Sequence, residues 1–163
     1  MGELDSKDLA RRVVCEAIRR GLTVSTAESI TAGLVSSSIA DVPGASSVLR
    51  GGAATYCDGV KHDVLGVSSL DLELHSAVSE PVARQMAEGS LTLFSSDLAV
   101  SLTGYAGPGG GANSDPVGTV YIGLASRSDT ICRRCSFAGD RSQVRNQACA
   151  FALKLLLEAI LHS

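Results

Sequence analysis

The sequence predicts an α/β domain, a three-layer α/β/α sandwich on a mixed, mostly parallel five-stranded sheet with one strand antiparallel. Three observations carry this. Segments of helical and strand period alternate along the chain, the pattern that strand–helix–strand units leave in a sequence. The run Asp97-Leu98-Ala99-Val100-Ser101-Leu102-Thr103 is nearly all apolar, as a strand covered by helices on both faces must be. Gly118 to Ala125 and Thr130 to Phe137 are joined by Ser126-Arg127-Ser128-Asp129 alone, a hairpin-length link that makes this pair antiparallel.

Each element follows from its own residues. Asp5 to Arg20 is a helix because Leu9, Val13, Val14, Ala17 and Ile18 recur at helical spacing, and Gly21 is a natural stop. Leu22 to Ala27 is a strand. A helix from Thr31 to about Ala40, with Leu34, Val35 and Ile39 on one face, leaves Ser29 at or beside its N-cap. Asp41 to Ser47 is turn-rich. Gly51 to Tyr56 is a second strand, weakened by glycines of the kind that mark close approach of a backbone or ligand. Asp58 to Leu65 is a short helix, and Ser79-Glu80-Pro81 opens a longer one through Val82, Met86 and Leu93. After the apolar strand come Gly104-Tyr105-Ala106-Gly107-Pro108-Gly109-Gly110-Gly111 and a polar loop to Pro116. A helix from about Asp140 to Leu161 closes the chain, its apolar face built from Val144, Ala148, Phe151, Ala152, Leu155 and Leu156. No internal repeat or boundary interrupts it, so residues 1–163 form one domain.

Composition narrows the function. With 163 residues, 45% of them hydrophobic and 19% charged, the chain can bury a sizeable core. A net charge of −3 without a basic stripe argues against nucleic acid as a partner. No apolar run reaches the length of a membrane span, and Met1 to Arg20 lacks the apolar stretch of a signal peptide, so a cytoplasmic setting without membrane contact is expected. Cys15, Cys57, Cys132, Cys135 and Cys149 are odd in number and scattered, unlike a disulfide framework. Cys132-Arg133-Arg134-Cys135 has CxxC spacing, but it lies in a β-prone segment without a second pair or a suitably spaced His. Both cysteines therefore read as strand residues rather than zinc or thioredoxin-like ligands.

In open α/β sheets, ligands bind beyond the carboxyl ends of the parallel strands. There the first strand ends at Glu28-Ser29, the second at Tyr56 with Lys61 five residues on, and the third in the loop Thr103 to Gly111. Together these supply a hydroxyl, a phenol, an amine and a glycine-rich cradle. A serine becomes a nucleophile when a base takes its proton, and a lysine serves if burial or a neighbouring cation lowers its pKa. A tyrosine beside them can relay that proton. Each residue also has a plain alternative: Ser29 as a helix cap, Tyr56 as a packing residue, Lys61 as a solvated charge. Three consecutive glycines are costly to order and point to positive φ or close approach of a ligand such as phosphate, although neither Walker A nor GxGxxG spacing is present.

Several longer motifs carry a resemblance. Ala27-Glu28-Ser29-Ile30-Thr31-Ala32-Gly33, Asp41-Val42-Pro43-Gly44, Gly51-Gly52 with Thr55-Tyr56 and Lys61, and His75-Ser76-Ala77-Val78-Ser79-Glu80 lie in the first half. Thr103-Gly104-Tyr105-Ala106-Gly107-Pro108, Pro116-Val117-Gly118-Thr119-Val120, and Phe137 with Gly139-Asp140-Arg141 follow. In this order they resemble the CinA C-terminal domain, the nicotinamide mononucleotide deamidase family, from about Leu9 to Leu156. The chain is similar to the stand-alone form, without the N-terminal domain of longer members. The resemblance implies one antiparallel strand among five, and an amidohydrolase that needs no metal or other cofactor. Such an enzyme converts nicotinamide mononucleotide and water to nicotinic acid mononucleotide and ammonia.

By position in those motifs, the nucleophile falls on Ser29 and the other catalytic groups on Tyr56 and Lys61. Substrate contacts fall on Thr31, Ala32 and Gly33, and on Thr103, Gly104, Gly107, Gly109 and Gly110. Backbone N–H groups near Ile30 and Thr31, or in the glycine-rich loop, would hold an oxyanion. Arg141 and Arg145, at the start of the last helix, are candidates for the substrate phosphate. The chain departs from the family pattern at Ile30 (Cys in the family), Ala32 (Gly), Cys57 to Val60 (Ser-Asn-Glu-Ala), Tyr105 (small aliphatic) and Gly109 (Asp). The implied partner is a small nucleotide substrate, and apolar helix faces leave room for a homodimer. The alternative is a nucleotide-binding, competence-associated domain with little or no amidase activity, which differs in what Ser29 does.

Overall fold

A computed structural model describes residues 5–111 and 115–163, so Met1 to Leu4 and part of the polar loop expected before Pro116 lie outside the described residues. The elements run α1 (Ser6–Arg20), β1 (Val24–Glu28), α2 (Leu34–Ala40), a 3-10 turn (Ala45–Ser47), β2 (Leu49–Ala54), α3 (Asp58–Leu65), α4 (Ser69–His75) and α5 (Glu80–Phe94). They finish with β3 (Leu98–Gly104), β4 (Thr119–Ser126), β5 (Thr130–Ser136) and α6 (Arg141–Leu161). The strands form one sheet in the order β2-β1-β3-β4-β5. Strand β1 pairs parallel with both β2 and β3, while β4 pairs antiparallel with β3 and β5. One strand, β4, is therefore reversed in a sheet otherwise aligned, as the hairpin link and the family resemblance led one to expect.

The two faces of the sheet are packed differently. Helices α1, α2 and α6 cover one face with a continuous apolar core that includes Val13, Val35, Ile39, Val100, Ile122, Leu153 and Leu156. Helix α5, with α3, covers the other through a smaller cluster of Ala27, Leu65, Val67, Val82 and Met86. Small residues let α5 settle close to the strands on that side. Ser101 Oγ donates to the Ala83 carbonyl at 2.5 Å, and Ser25 Oγ bonds Ser90 Oγ at 2.9 Å and Ser96 Oγ at 2.8 Å. A Cβ added at Gly123 would overlap the Ala83 carbonyl, and one added at Gly89 would overlap the carbonyl of Leu65 at the end of α3. Glycine at these two positions is thus what sets the height of α5 above the sheet and the place of α3 beside it.

Two local expectations are corrected. Helix α2 starts at Leu34 rather than Thr31, because Ala32 (φ 49°) and Gly33 (φ 100°) adopt left-handed backbone that a helix cannot contain. Ser29 is accordingly no cap. The amides at the start of α2 are met instead by the buried carboxylate of Glu28, which accepts from Gly33 N (3.0 Å), Val35 N (3.0 Å), Ser36 N (2.9 Å) and Ser36 Oγ (3.1 Å). Helix α4 was not expected at all. Its Leu70 and Leu74 face solvent, so no buried stripe announces it, and it is held by Ser68 Oγ accepting from Asp71 N at 3.3 Å. Among the described residues, no helix is long and apolar enough to cross a membrane.

Glu28 offers a direct test of this framework. A glutamine there keeps the shape but turns an NH2 group toward backbone N–H donors, leaving buried groups unpaired. Glu28→Gln is expected to lower the unfolding free energy by about 2–3 kcal/mol in urea titration, with the slope against denaturant unchanged.

Candidate active site

Three chain segments deliver side chains to the carboxyl edge of the sheet. Ser29 leaves β1 with its N–H bonded to the Leu102 carbonyl at 2.9 Å, which holds the turn against β3. Thr55 N–H donates to the Glu28 carbonyl at 2.9 Å, extending the β1–β2 pairing past the end of β2, and Tyr56 emerges next with 61% of its surface exposed. Lys61 sits on α3 and is 1% exposed, the largest fully buried side chain in the protein's described part. Its Nζ lies 3.4 Å from the Tyr56 carbonyl and 3.8 Å from Asp58 Oδ1. Burial pushes the Lys61 ammonium below the ordinary lysine pKa, while Asp58 and Cys57 pull the other way.

Ser29, Tyr56 and Lys61 border one cavity of about 220 Å³, together with Thr103, Gly104 and Arg141 from the expected set. Ile30, Asp58, Ala77, Val78, Tyr105 and Ala106 complete its wall. Arg141 ties the wall together, donating from Nη2 to the Tyr56 hydroxyl at 2.9 Å and from Nη1 to the Gly107 carbonyl at 3.0 Å. Because that hydroxyl accepts from Arg141, its own proton is directed elsewhere. Thr103 Oγ1 donates to the Ala77 carbonyl at 2.7 Å, which draws the segment before α5 into the wall. A larger cavity of about 490 Å³ opens at the opposite edge, among Leu22, Asp97 and Arg127. Its Asp97 and Arg127 are paired at 2.9 Å, and it brings no hydroxyl together with a buried amine.

The other expected residues stand outside the cavity wall. Thr31 is buried with its Oγ1 unpartnered among the described residues, and Gly33 N–H is given to Glu28. Ala32 is exposed in its left-handed turn. Gly107 is buried against Val117, whereas Gly109 and Gly110 are exposed in the loop. Arg145 turns its guanidinium to the chain itself, donating from Nε to the Ile30 carbonyl and from Nη2 to the Thr31 carbonyl, each at 3.0 Å. The glycine-rich loop leaves β3 and rejoins β4 at one spot, where Tyr105 N–H donates to the Thr119 carbonyl at 3.0 Å and Gly118 N–H to the Tyr105 carbonyl at 2.7 Å.

Asp58, Ala77 and Val78 fall in segments compared with the family but were given no role in the site from sequence. Asp58 was findable, since three residues before Lys61 on a helix it shares that side chain's face. Ala77 and Val78 carry no chemistry and reach the wall only through the bond from Thr103. Cys132 and Cys135 lie three residues apart on a strand and so face opposite sides of it. Burial pushes the Cys132 thiol up to about 11. Among the described residues, no group of three or more His, Cys, Asp or Glu side chains is placed to hold a metal ion.

Fold and site together define a class: a three-layer α/β/α domain in which a serine, a tyrosine and a buried lysine meet at the carboxyl edge of a sheet with one reversed strand. Within it, the chain belongs to the CinA family, for residues 6–160 match the model of the CinA C-terminal domain. A protein from Escherichia coli K12 named nicotinamide-nucleotide amidohydrolase PncC is 46% identical over 145 residues, covering 88% of this chain and 88% of that one. A CinA-like protein from Mycolicibacterium gilvum is 44% identical over 145 residues, which are 88% of this chain but 34% of that protein. The chain spans about a third of the length of such longer relatives. A crystal structure of a CinA superfamily protein from Klebsiella pneumoniae superposes with a TM-score of 0.94 at 36% identity, covering 98% of this chain and 100% of that one. The competence/damage inducible protein CihA from Agrobacterium tumefaciens gives 0.93 at 36% identity, over 99% and 98%.

The buried amine makes a thermodynamic prediction. Burial lowers the folded-state pKa of Lys61, so between that lowered value and the ordinary lysine value the unfolded chain binds its proton more readily than the folded one. Stability attributable to this group therefore rises with pH, up to the ordinary lysine value. Lys61→Met keeps the length and removes the charge. It is expected to raise the melting midpoint by a few degrees near neutral pH and to flatten the rise in stability as the pH climbs toward the ordinary lysine value of about 10.4, followed by thermal unfolding.

Proposed function

We propose that this chain is a serine-dependent amidohydrolase that cleaves the carboxamide of nicotinamide mononucleotide, giving nicotinic acid mononucleotide and ammonia. The observation that carries the reading is the meeting of Ser29 with a fully buried lysine in one cavity. The relative named nicotinamide-nucleotide amidohydrolase, aligned over 88% of both chains, supplies the substrate class. In this mechanism Ser29 Oγ attacks the carboxamide carbon while Lys61, whose ammonium form is disfavoured by burial, takes the hydroxyl proton. Tyr56 relays a proton to the departing ammonia, its hydroxyl oriented by Arg141. Water then cleaves the acyl-enzyme along the same path in reverse.

The oxyanion would meet backbone amides in the turn after Ser29. Within that turn Ser29 N–H is given to Leu102, Ala32 N–H to the Ser29 carbonyl and Gly33 N–H to Glu28. Ile30 and Thr31 N–H have no acceptor among the described residues. Ile30 lines the cavity and Thr31 follows it directly in the chain, so two adjacent free donors stand just after the nucleophile, as an oxyanion hole requires. We place the substrate phosphate toward Arg141, which lines the cavity, and the exposed amides of Gly109 and Gly110, and not on Arg145, which stands outside the wall and is turned to the Ile30 and Thr31 carbonyls. A second reading, a nucleotide-binding domain without turnover, has in its favour the CinA-like names of the longer relatives.

Ammonia release from nicotinamide mononucleotide separates the two. Wild type is expected to turn over, with Ser29→Ala and Lys61→Ala each reduced by roughly a thousandfold or more. Binding without turnover in the wild type would return the second reading. The pH profile adds a signed test: the Asp58 carboxylate favours the Lys61 ammonium, so Asp58→Asn is expected to move the ascending limb of kcat/KM to lower pH.

A further inference from the structure

The use that Arg145 makes of its guanidinium has a chemical consequence. From α6 it reaches across to two consecutive carbonyls, Ile30 O and Thr31 O, at 3.0 Å each. Among the described residues, Arg145 supplies the one hydrogen bond that Ile30 O accepts, whereas Thr31 O also accepts from Leu34 N at 3.1 Å. A trans peptide is planar, with its C=O and N–H pointing in opposite directions. Drawing Ile30 O toward α6 therefore aims the N–H of the same peptide, that of Thr31, the opposite way. That N–H is one of the two unpartnered amides directly after Ser29.

We infer that Arg145 is a positioning residue for the oxyanion site, acting through the Ile30–Thr31 peptide, and that it is not a ligand of the substrate phosphate. The inference deepens the amidohydrolase reading and rests on Ser29 being its nucleophile. Two effects act in the same direction. The fork fixes the peptide plane, so the donor is in place before charge develops. The cation at the carbonyl end also polarises the peptide and strengthens its N–H as a donor, as linked hydrogen bonds polarise one another. An arginine suits both tasks, since its planar fork spans two acceptors while carrying full charge.

Arg145→Gln and Arg145→Lys separate this role from phosphate binding. With nicotinamide mononucleotide, Arg145→Gln is expected to lower kcat by roughly tenfold to a hundredfold, with KM within about threefold of wild type. Arg145→Lys keeps the cation and reaches one carbonyl, so it is expected to fall between glutamine and wild type. A second readout needs no natural substrate: the rate at which a fluorophosphonate labels Ser29, followed by mass spectrometry. There Ser29 Oγ bonds to phosphorus, fluoride leaves, the hydroxyl proton passes to Lys61, and the phosphonyl oxygen takes the oxyanion position. Labelling is expected to slow in the same order as kcat, in variants whose melting midpoints stay within a few degrees of wild type.

A tenfold or greater rise in KM with kcat retained assigns Arg145 to the phosphate and overturns the inference. Equal labelling rates in wild type and both variants overturn it as well. If wild type is labelled but releases no ammonia, the substrate reading fails while the labelling rates still decide the role of Arg145. If wild-type Ser29 is not labelled at all, the nucleophile reading falls and this inference with it.

Discussion

The carboxylate of Glu28 is the interaction on which the rest depends. It ends β1 and reaches forward over a five-residue turn to close the start of α2, accepting three backbone N–H groups and one hydroxyl in a fully buried setting. A buried charge is tolerated only where it is so fully bonded. The turn it spans is thereby held at both ends, and Ser29 is displayed on its outer side. There is an electrostatic corollary. The positive end of the α2 dipole is spent on Glu28, so the charged groups at the cavity wall are the side chains Asp58, Lys61 and Arg141 rather than a helix start.

The second constraint is the height of α5. With Ser25, Ser101 and Gly123 beneath it, the helix lies close enough for its own carbonyl at Ala83 to be bonded by a strand side chain. Gly89 extends that closeness sideways to the carbonyl of Leu65. Lys61, one turn earlier on α3, is thereby pressed into the protein, and its burial is what depresses the ammonium. A glycine with no chemistry of its own thus bears on the acidity of a lysine on a different helix.

How much of this was legible in the sequence follows from what kind of force makes each part. Elements set by a buried stripe, such as α1, α5, α6 and β3, came within a residue or two of their observed ends, because burial imposes a period that residues display. The bounds of α3 were read as Asp58 to Leu65 and are observed so. Helix α4 was illegible because its leucines point outward. The start of α2 was misplaced because Thr31 and Ala32 are compatible with helix locally, and the left-handed backbone there answers to Glu28 and to a guanidinium more than a hundred residues away. Ser29, Tyr56, Lys61 and Gly104 could be gathered at one edge from strand ends alone, since topology does that work. That Arg145 faces the chain and not the cavity depends on side-chain direction, which spacing does not encode.

The reversed strand has a further consequence for how this protein can vary. Because β4 runs back alongside β3, the glycine-rich excursion begins and ends at the same point, with Tyr105, Gly118 and Thr119 bonded across its neck. A change in the length of this loop therefore leaves the pairing of β3 with β4 intact. Ser29 follows β1 and Lys61 sits on α3, so neither is carried by this loop. Inheritance and selection can work on the two apart: Ser29 and Lys61 stay under the tight grip of the core, while the loop beyond the neck is free to drift in length.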